Sequence, residues 1–394
     1  MTDLLSDSNS LKNDHVPLRA LALVFLRLGT IGFGGPAAVI AMMEEETVKR
    51  KKWLTHEQFL DLLGATNLIP GPNSTEMAIH VGYVKAGWRG LAVAGSCFIF
   101  PAVVITLLLA YLYVHFGTVP QLAAFMFGIR AAIIAVILAA VFRLSRSMFK
   151  KRFLVIIGLA VTILSLFRLD EIALLFGAGI LSIVWEHRKR IWQKALSVFN
   201  ANVLPVFVMF FSPLGNEANA SLTSLGLFFL KIGAILYGSG YVLVAFLQGG
   251  LVESYHWLTQ QQLLDAIAIG QFTPGPILST ATFIGYVLLG FPGAAVATIG
   301  VFLPSFIFVM LSSPLIPKLR NSPMARSFLD GINAAALGLM LAVCFSLGFA
   351  SLTSVAGWFI FGLAIIVLVV WNLNAAWIIL GSACLGWLLS HTPL

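Results

Sequence analysis

The chain has 394 residues, 59% of them hydrophobic and only 10% charged, with a formal net charge of +8. Soluble domains carry about 25% charged residues, so this composition, with a mean hydropathy of +0.96, excludes a soluble enzyme and a single-span receptor. The apolar runs are long and continuous rather than alternating, which excludes an outer-membrane barrel, and at about 20 residues per span the length suits roughly ten to twelve membrane segments.

In chain order, residues 1–17 read as a polar tail without the basic start and apolar core of a cleaved signal. A first apolar helix follows, carrying Arg27 and interrupted at Gly32-Phe33-Gly34-Gly35-Pro36. After a charged loop, Thr55 and Gln58 form a capping box that starts the next helix. Proline disfavours helix at the residue before it, so that helix ends at Pro70-Gly71-Pro72. A short helix then runs to Gly82-Tyr83. The segments flanking Pro-Gly-Pro are too short for two clean spans and predict a re-entrant hairpin. Longer helices are expected near 91–113, 122–142, 153–167 and 172–186, and an extra membrane segment at 198–213 lies in a linker over 191–224.

The chain then repeats itself. Residues 25–72 align without a gap on 229–276, with 16 of 48 positions identical. Trp53-Leu54-Thr55 returns as Trp257-Leu258-Thr259, Asp61 as Asp265, and Pro70-Gly71-Pro72 as Pro274-Gly275-Pro276. The second break reads Gly238-Ser239-Gly240, and the second capping box pairs Thr259 with Gln262. After a one-residue slip Gly82-Tyr83 matches Gly285-Tyr286 and Pro101 matches Pro304. The expected domains are a first copy at 18–190, the linker, and a second copy at 225–394, with later helices near 294–313, 327–347, 354–371 and 375–390.

Loop charges orient the copies. Copy one is basic at Lys49–Lys52, at Lys85 with Arg89, and from Arg143 to Arg152. The matching loops of copy two are nearly free of cations, and copy two instead carries Lys318, Arg320 and Arg326. Basic loops stay on the cytoplasmic side, so the copies are expected to be inverted. The basic balance therefore marks a multi-pass protein of the cytoplasmic (inner) membrane and not a nucleic-acid binder. The fold class expected is an all-α polytopic membrane protein, two homologous halves forming an inverted repeat with helices broken or re-entrant at Pro-Gly-Pro.

Inverted repeats with broken helices place substrate sites near the bilayer midplane, where helix N-termini favour anions. The expected binding residues are Gly34, Gly35, Pro70, Gly71, Pro72, Asn73, Ser74 and Thr75 in copy one. In copy two they are Gly238, Ser239, Gly240, Gln271, Thr273, Pro274, Gly275 and Pro276. Arg27 and Lys231 occupy equivalent positions in apolar helix one, where an unpaired cation is costly; they either face a bound anion together or snorkel to opposite surfaces. Arg130, mid-helix among apolar residues, is an anion ligand or half of a buried ion pair. Glu76 and His80, one helical turn apart, are candidate proton carriers, or else a hydrogen-bonded structural pair, and Asp330 is a further candidate carboxylate. Asp61 and Asp265, in first helical turns, read as structural. The sequence shows no nucleotide loop, metal-ligand spacing or paired cysteines; no cofactor is expected. A membrane enzyme or a scaffold is the competing class.

These motifs, the glycine break at 32–36, Trp53-Leu54, Pro70-Gly71-Pro72 and their reprise, resemble the chromate ion transporter (CHR) family in its long, two-unit form, over about residues 18–390. The resemblance implies export of chromate driven by the proton-motive force, conferring resistance, with sulfate as a competing analogue. The residues themselves support only a small tetrahedral oxyanion, so sulfate or molybdate stays open. The expected partners are that anion and the lipid bilayer, with a homodimer compatible.

Overall fold

Glycine breaks the first helix of each copy, and the break sets the rest of the architecture. In a computed structural model, residues 16–33, 35–116, 120–146, 151–194, 219–237, 240–312, 322–371 and 373–390 are described. The expected segment at 198–213, together with Gly34, Gly238 and Ser239, lies outside the described residues. All regular structure among the described residues is helical.

Helix α1, Leu18–Ile31, stops at Gly32, and α2 restarts at Gly35–Glu44, running into a π-helical turn at Glu45–Arg50. The second copy repeats this with α8, Leu222–Ile235, a 3₁₀ turn at Gly240–Val242, α9 at Leu243–Leu247 and a π-helical turn at Gln248–Ser254. Each apolar half is only about 20 Å long at about 1.5 Å per residue, short of a roughly 30 Å hydrocarbon core. Both capping boxes form. Thr55 caps α3, His56–Thr66, and Thr259 caps α10, Gln260–Phe272, each hydroxyl accepting from the backbone N–H of the glutamine three residues on. Both helices end before Pro-Gly-Pro.

Beyond Pro-Gly-Pro the chain enters α4, Asn73–Phe116, and in copy two a 3₁₀ turn at Ile277–Ser279 and α11, Thr280–Ser312. Each holds a sharp reversal, at Ala86–Gly87 and Leu289–Gly290, where the glycines adopt φ 60°, ψ −151° and φ 64°, ψ −151°. Only glycine takes that conformation readily. The expected end of the short helix at Gly82-Tyr83 is therefore corrected to Lys85. Gly82 is instead a packing site, its α-carbon lying against the Gly90 carbonyl across the hairpin. The remaining helices are α5 (Pro120–Ser145), α6 (Arg152–Leu166), α7 (Glu171–Lys194), α12 (Pro323–Ser351), α13 (Val355–Val370) and α14 (Ala375–Ser390). Four helical stretches, Asn73–Phe116, Ala124–Ser145, Ile277–Ser312 and Pro323–Ser351, are long and apolar enough to cross a membrane.

The copies pack by exchange. α5 of copy one lies against α13 and α14 of copy two, while its counterpart α12 lies against α6 and α7 of copy one. α4 and α11 pack on each other at the centre. The close contacts repeat with the exchange: the Gly128 α-carbon meets the Ser382 carbonyl, and that of Gly331 meets the Ala178 carbonyl. Burial follows this plan. Leu21, Phe25 and Leu28 of α1 and Phe229 and Ile232 of α8 face inward, whereas Leu23 and Leu227 face out. Exposed leucine, phenylalanine and tryptophan side chains cover much of the outside, as a lipid-facing surface requires. The chain is a multi-pass, all-α membrane protein of two homologous halves.

Candidate functional site

The two Pro-Gly-Pro loops meet the broken ends of the opposite copy's first helix. The Gly71 N–H donates to the Leu236 carbonyl (2.6 Å), and the Gly275 N–H donates to the Gly32 carbonyl (2.9 Å). Gly71 matches Gly275 and Gly32 matches Leu236 in the repeat, so the two bonds are one contact made twice. Both donors have positive φ, 144° and 92°, which suits glycine. Each bond satisfies a carbonyl left over where helix one stops. The break and the Pro-Gly-Pro turn therefore form a single device, completed only when both copies are present.

The side chains around the two loops differ. In copy one the Glu76 carboxylate folds back on Gly71, whose α-carbon also touches the Ser305 hydroxyl of copy two. Glu76 is fully buried, and neither carboxylate oxygen has a hydrogen-bond partner. It lies within electrostatic reach of Tyr237, beside the Leu236 carbonyl. His80, one turn further along α4, is also buried with both ring nitrogens unpartnered. The hydroxyls of Thr75, Ser279 and Ser305 are buried and unpartnered as well. In copy two, Gly275 faces the Ala102 methyl. Thr273 donates to the Ile269 carbonyl (2.6 Å) and accepts from Thr106 (3.3 Å), and Thr280 donates to the Ile277 carbonyl (2.8 Å). Gln271 accepts from Tyr241 (3.4 Å) but leaves its amide nitrogen unpartnered. Asn73 donates to Asn67 (2.8 Å) at the start of α4.

The expected cations are not gathered here. Arg27 lies on the exposed face of α1, opposite buried Leu28 and Gly29. A helix presents neighbouring residues about 100° apart, so the face that buries Phe25, Leu28 and Gly29 turns Arg27 away. Lys231 is half-buried, within electrostatic reach of Glu171 at the start of α7. Arg130 makes a bidentate ion pair with Asp265, Nε to Oδ1 and Nη2 to Oδ2, both 2.8 Å. Tyr113 donates to the same carboxylate at 2.8 Å. Asp265 is fully buried, so Arg130 is the ion-pair member of its two sequence alternatives. Its charge is already matched. The sequence reading missed Asp265 as this partner; the available signal was a mid-helix arginine that needed a counter-charge in the other copy.

Asp330 lies elsewhere too. It accepts from Lys151 at 2.7 Å, and Lys151 also donates to Glu186 at 2.7 Å. Those bonds, the one to Asp330 first, raise the Lys151 pKa and keep its ammonium charged. Ser327 of α12 donates to the other Glu186 oxygen. This is a clasp between copies, which takes Asp330 out of the central group. In the charged loop, a hydrogen bond from Lys49 lowers the Glu45 pKa and raises that of Lys49. Among the described residues there is no cluster of three metal-ligating side chains.

Two exchanged halves whose broken helices enclose a buried polar centre define a membrane transport protein rather than an enzyme. The sequence matches the Chromate transporter family over residues 19–183 and again over 223–387, and the chain belongs to that family. It is 37% identical to a chromate transport protein of Cupriavidus metallidurans over 324 residues, covering 82% of this chain and 80% of the relative. It is 30% identical to a chromate transport protein of Pseudomonas aeruginosa over 381 residues, 92% of this chain and 90% of the relative. An uncharacterized transporter of Bacillus subtilis matches at 26% over 162 residues, 91% of its own length but 40% of this chain. No solved structure matches.

Proposed function

We propose that this chain exports chromate across the cytoplasmic membrane, lowers its internal level and so confers resistance. The observation that carries the reading furthest is the buried centre shared by the copies, with an unpartnered Glu76 carboxyl beside a reciprocal pair of Pro-Gly-Pro turns. The names of the relatives supply the ion. A tetrahedral dianion there meets hydroxyl and amide donors at Thr75, Ser279, Ser305 and Gln271, together with the N-terminus of α4 behind Pro72. Sulfate and molybdate share that shape and charge, and compete.

Glu76 is the proposed proton carrier, with His80 as a relay one turn away. A buried ionised carboxylate beside a dianion is strongly unfavourable, so anion occupancy and a protonated Glu76 go together. The anion and one proton therefore leave together, a co-transport that an inward pH gradient opposes. The direction has an independent drive. A dianion leaving a cell whose interior is negative gains about 4.6 kcal/mol per 100 mV, at about 2.3 per charge, of which the accompanying proton takes back about 2.3. The exchanged packing of α5 and α12, with the loop charges, supports copies that face opposite ways and rock against each other around the centre. Arg130 with Asp265 holds that scaffold and does not bind the anion directly.

Everted membrane vesicles test the reading. They should accumulate chromate when energised, with sulfate competing, and cells lacking the gene should become more sensitive to external chromate. Vesicles that take up sulfate but never chromate would reassign the ion. Vesicles that take up neither would contradict an oxyanion transporter.

A further inference from the structure

A groove of about 500 Å³ runs along α6 where the two copies meet, within the range of about 300–1,000 Å³ typical of ligand sites. Phe142 and Ser145 of α5, Val155, Leu159 and Thr162 of α6, and Leu341 of α12 form its walls, and α13 closes it. The lining is almost wholly apolar. The Thr162 hydroxyl is already spent on the Gly158 and Gly338 carbonyls, at 2.9 and 3.0 Å. An inorganic anion finds nothing to bind inside it. Phe142 and Leu159 are 47% and 54% exposed, so the groove opens on the outer surface of the helices.

One end of the groove is cationic. The Arg146 guanidinium lies over the Phe142 ring, 5.3 Å from its centroid. Arg152 opens α6, three residues before Val155, and so heads the helix face that continues through Leu159 and Thr162. Both arginines are exposed and make no ion pair among the described residues. The carboxylates at this end, Glu186 and Asp330, are held by Lys151 at 2.7 Å each. An apolar furrow that ends in two uncommitted arginines matches an amphiphile with one negative head and a long apolar tail. We infer that this groove binds an anionic phospholipid, one acyl chain along α6 and the phosphate between Arg146 and Arg152. The lipid touches both copies, since the walls come from α5 and α6 of one and from α12 and α13 of the other. The inference is independent of the ion that is transported.

Lipid retention by the purified full chain, read by native mass spectrometry, tests this. The probes are phosphatidylglycerol and phosphatidylcholine with identical acyl chains, and inorganic phosphate alone. One cation at a membrane surface is worth about fivefold in binding, so two predict roughly 25-fold preference for phosphatidylglycerol. The double variant Arg146→Gln, Arg152→Gln should bring phosphatidylglycerol down to the phosphatidylcholine level. Leu159→Trp fills the groove and should weaken both lipids alike; Leu159→Phe serves if the larger ring lowers expression. Phosphate alone should not displace the lipid. Equal retention of the two lipids by the wild-type chain would overturn the inference. So would a preference that survives loss of both arginines, retention untouched by the filled groove, or displacement by phosphate, which would mark the arginines as a simple anion patch.

Discussion

The two Pro-Gly-Pro loops share one backbone and carry different chemistry. Gly71 and Gly275 make the same bond to the opposite copy. Around Gly71 stand the Glu76 carboxylate and the Ser305 hydroxyl; around Gly275 stands the Ala102 methyl. Position 280, the ungapped repeat partner of Glu76, is a threonine whose hydroxyl bonds to its own turn. Duplication thus supplied the geometry twice, and divergence left the ionisable group in one copy only. A proton carrier duplicated with its loop would bring two carboxylates to one buried centre, where like charges repel.

The scaffold shows the same asymmetry, and breaking it should have the largest effect. Asp265→Ala leaves Arg130 in a partly buried position without its partner. Loss of one member of a buried pair costs about 3–5 kcal/mol, and since Arg130 keeps 24% of its side-chain surface exposed the lower end, about 3 kcal/mol, is expected. Asp61→Ala in the other copy, where the equivalent of Arg130 is Asn333, should lower the thermal midpoint in detergent less. Replacing the pair together, Asp265→Leu with Arg130→Met, should destabilise less than Asp265→Ala alone.

Next come the loop glycines. At Gly71 an added methyl meets both the Glu76 carboxylate and the Ser305 hydroxyl, whereas at Gly275 its nearest neighbour is the Ala102 methyl, 3.2 Å away. Both substitutions strain a positive φ, a cost of about 1–3 kcal/mol. Gly71→Ala should therefore abolish vesicle uptake, and Gly275→Ala should leave a measurable remainder. Equal loss would show that the loops are functionally alike. The smallest effect belongs to Arg27→Ala. Its side chain points away from the centre, so stability should stay within about 0.5 kcal/mol and uptake within twofold. A larger loss of uptake at normal expression would return Arg27 to the anion path.

Much of this was legible in the sequence because repetition carries its own check. The capping boxes at Thr55 and Thr259, the breaks after Gly32 and before Gly240, and the paired turns were fixed by local chemistry that occurs twice. Glu76 and His80 were visible as polar residues deep in apolar sequence. The partner of Arg130 was not visible, because Asp265 lies in the other copy and was read as a first-turn residue; it falls in the second turn of α10, too far in for the helix end to account for it. The crossing of each loop onto the opposite helix end was invisible for the same reason: a hydrogen bond from Gly71 to Leu236 leaves no trace in residue type. The outward face of Arg27 was readable, since Arg19, Arg27 and Thr30 share one side of α1, opposite the buried Leu21, Phe25 and Leu28. Its match with Lys231 was real, yet the two equivalent positions differ in surroundings, since only Lys231 lies near a carboxylate from α7.

The central claim is that one copy's loop carries the proton while both loops hold the site. Glu76→Gln keeps the shape but replaces the titrating carboxyl with a neutral amide. Chromate uptake into everted vesicles, measured with a membrane potential alone and then with an added pH gradient, tests this directly. Wild-type uptake should fall when the lumen is made acidic, because the accompanying proton then moves against its gradient. Glu76→Gln should fold normally, keep slower potential-driven uptake, and lose its response to the pH gradient. A Glu76→Gln protein that responds to the gradient as the wild type does would contradict the account.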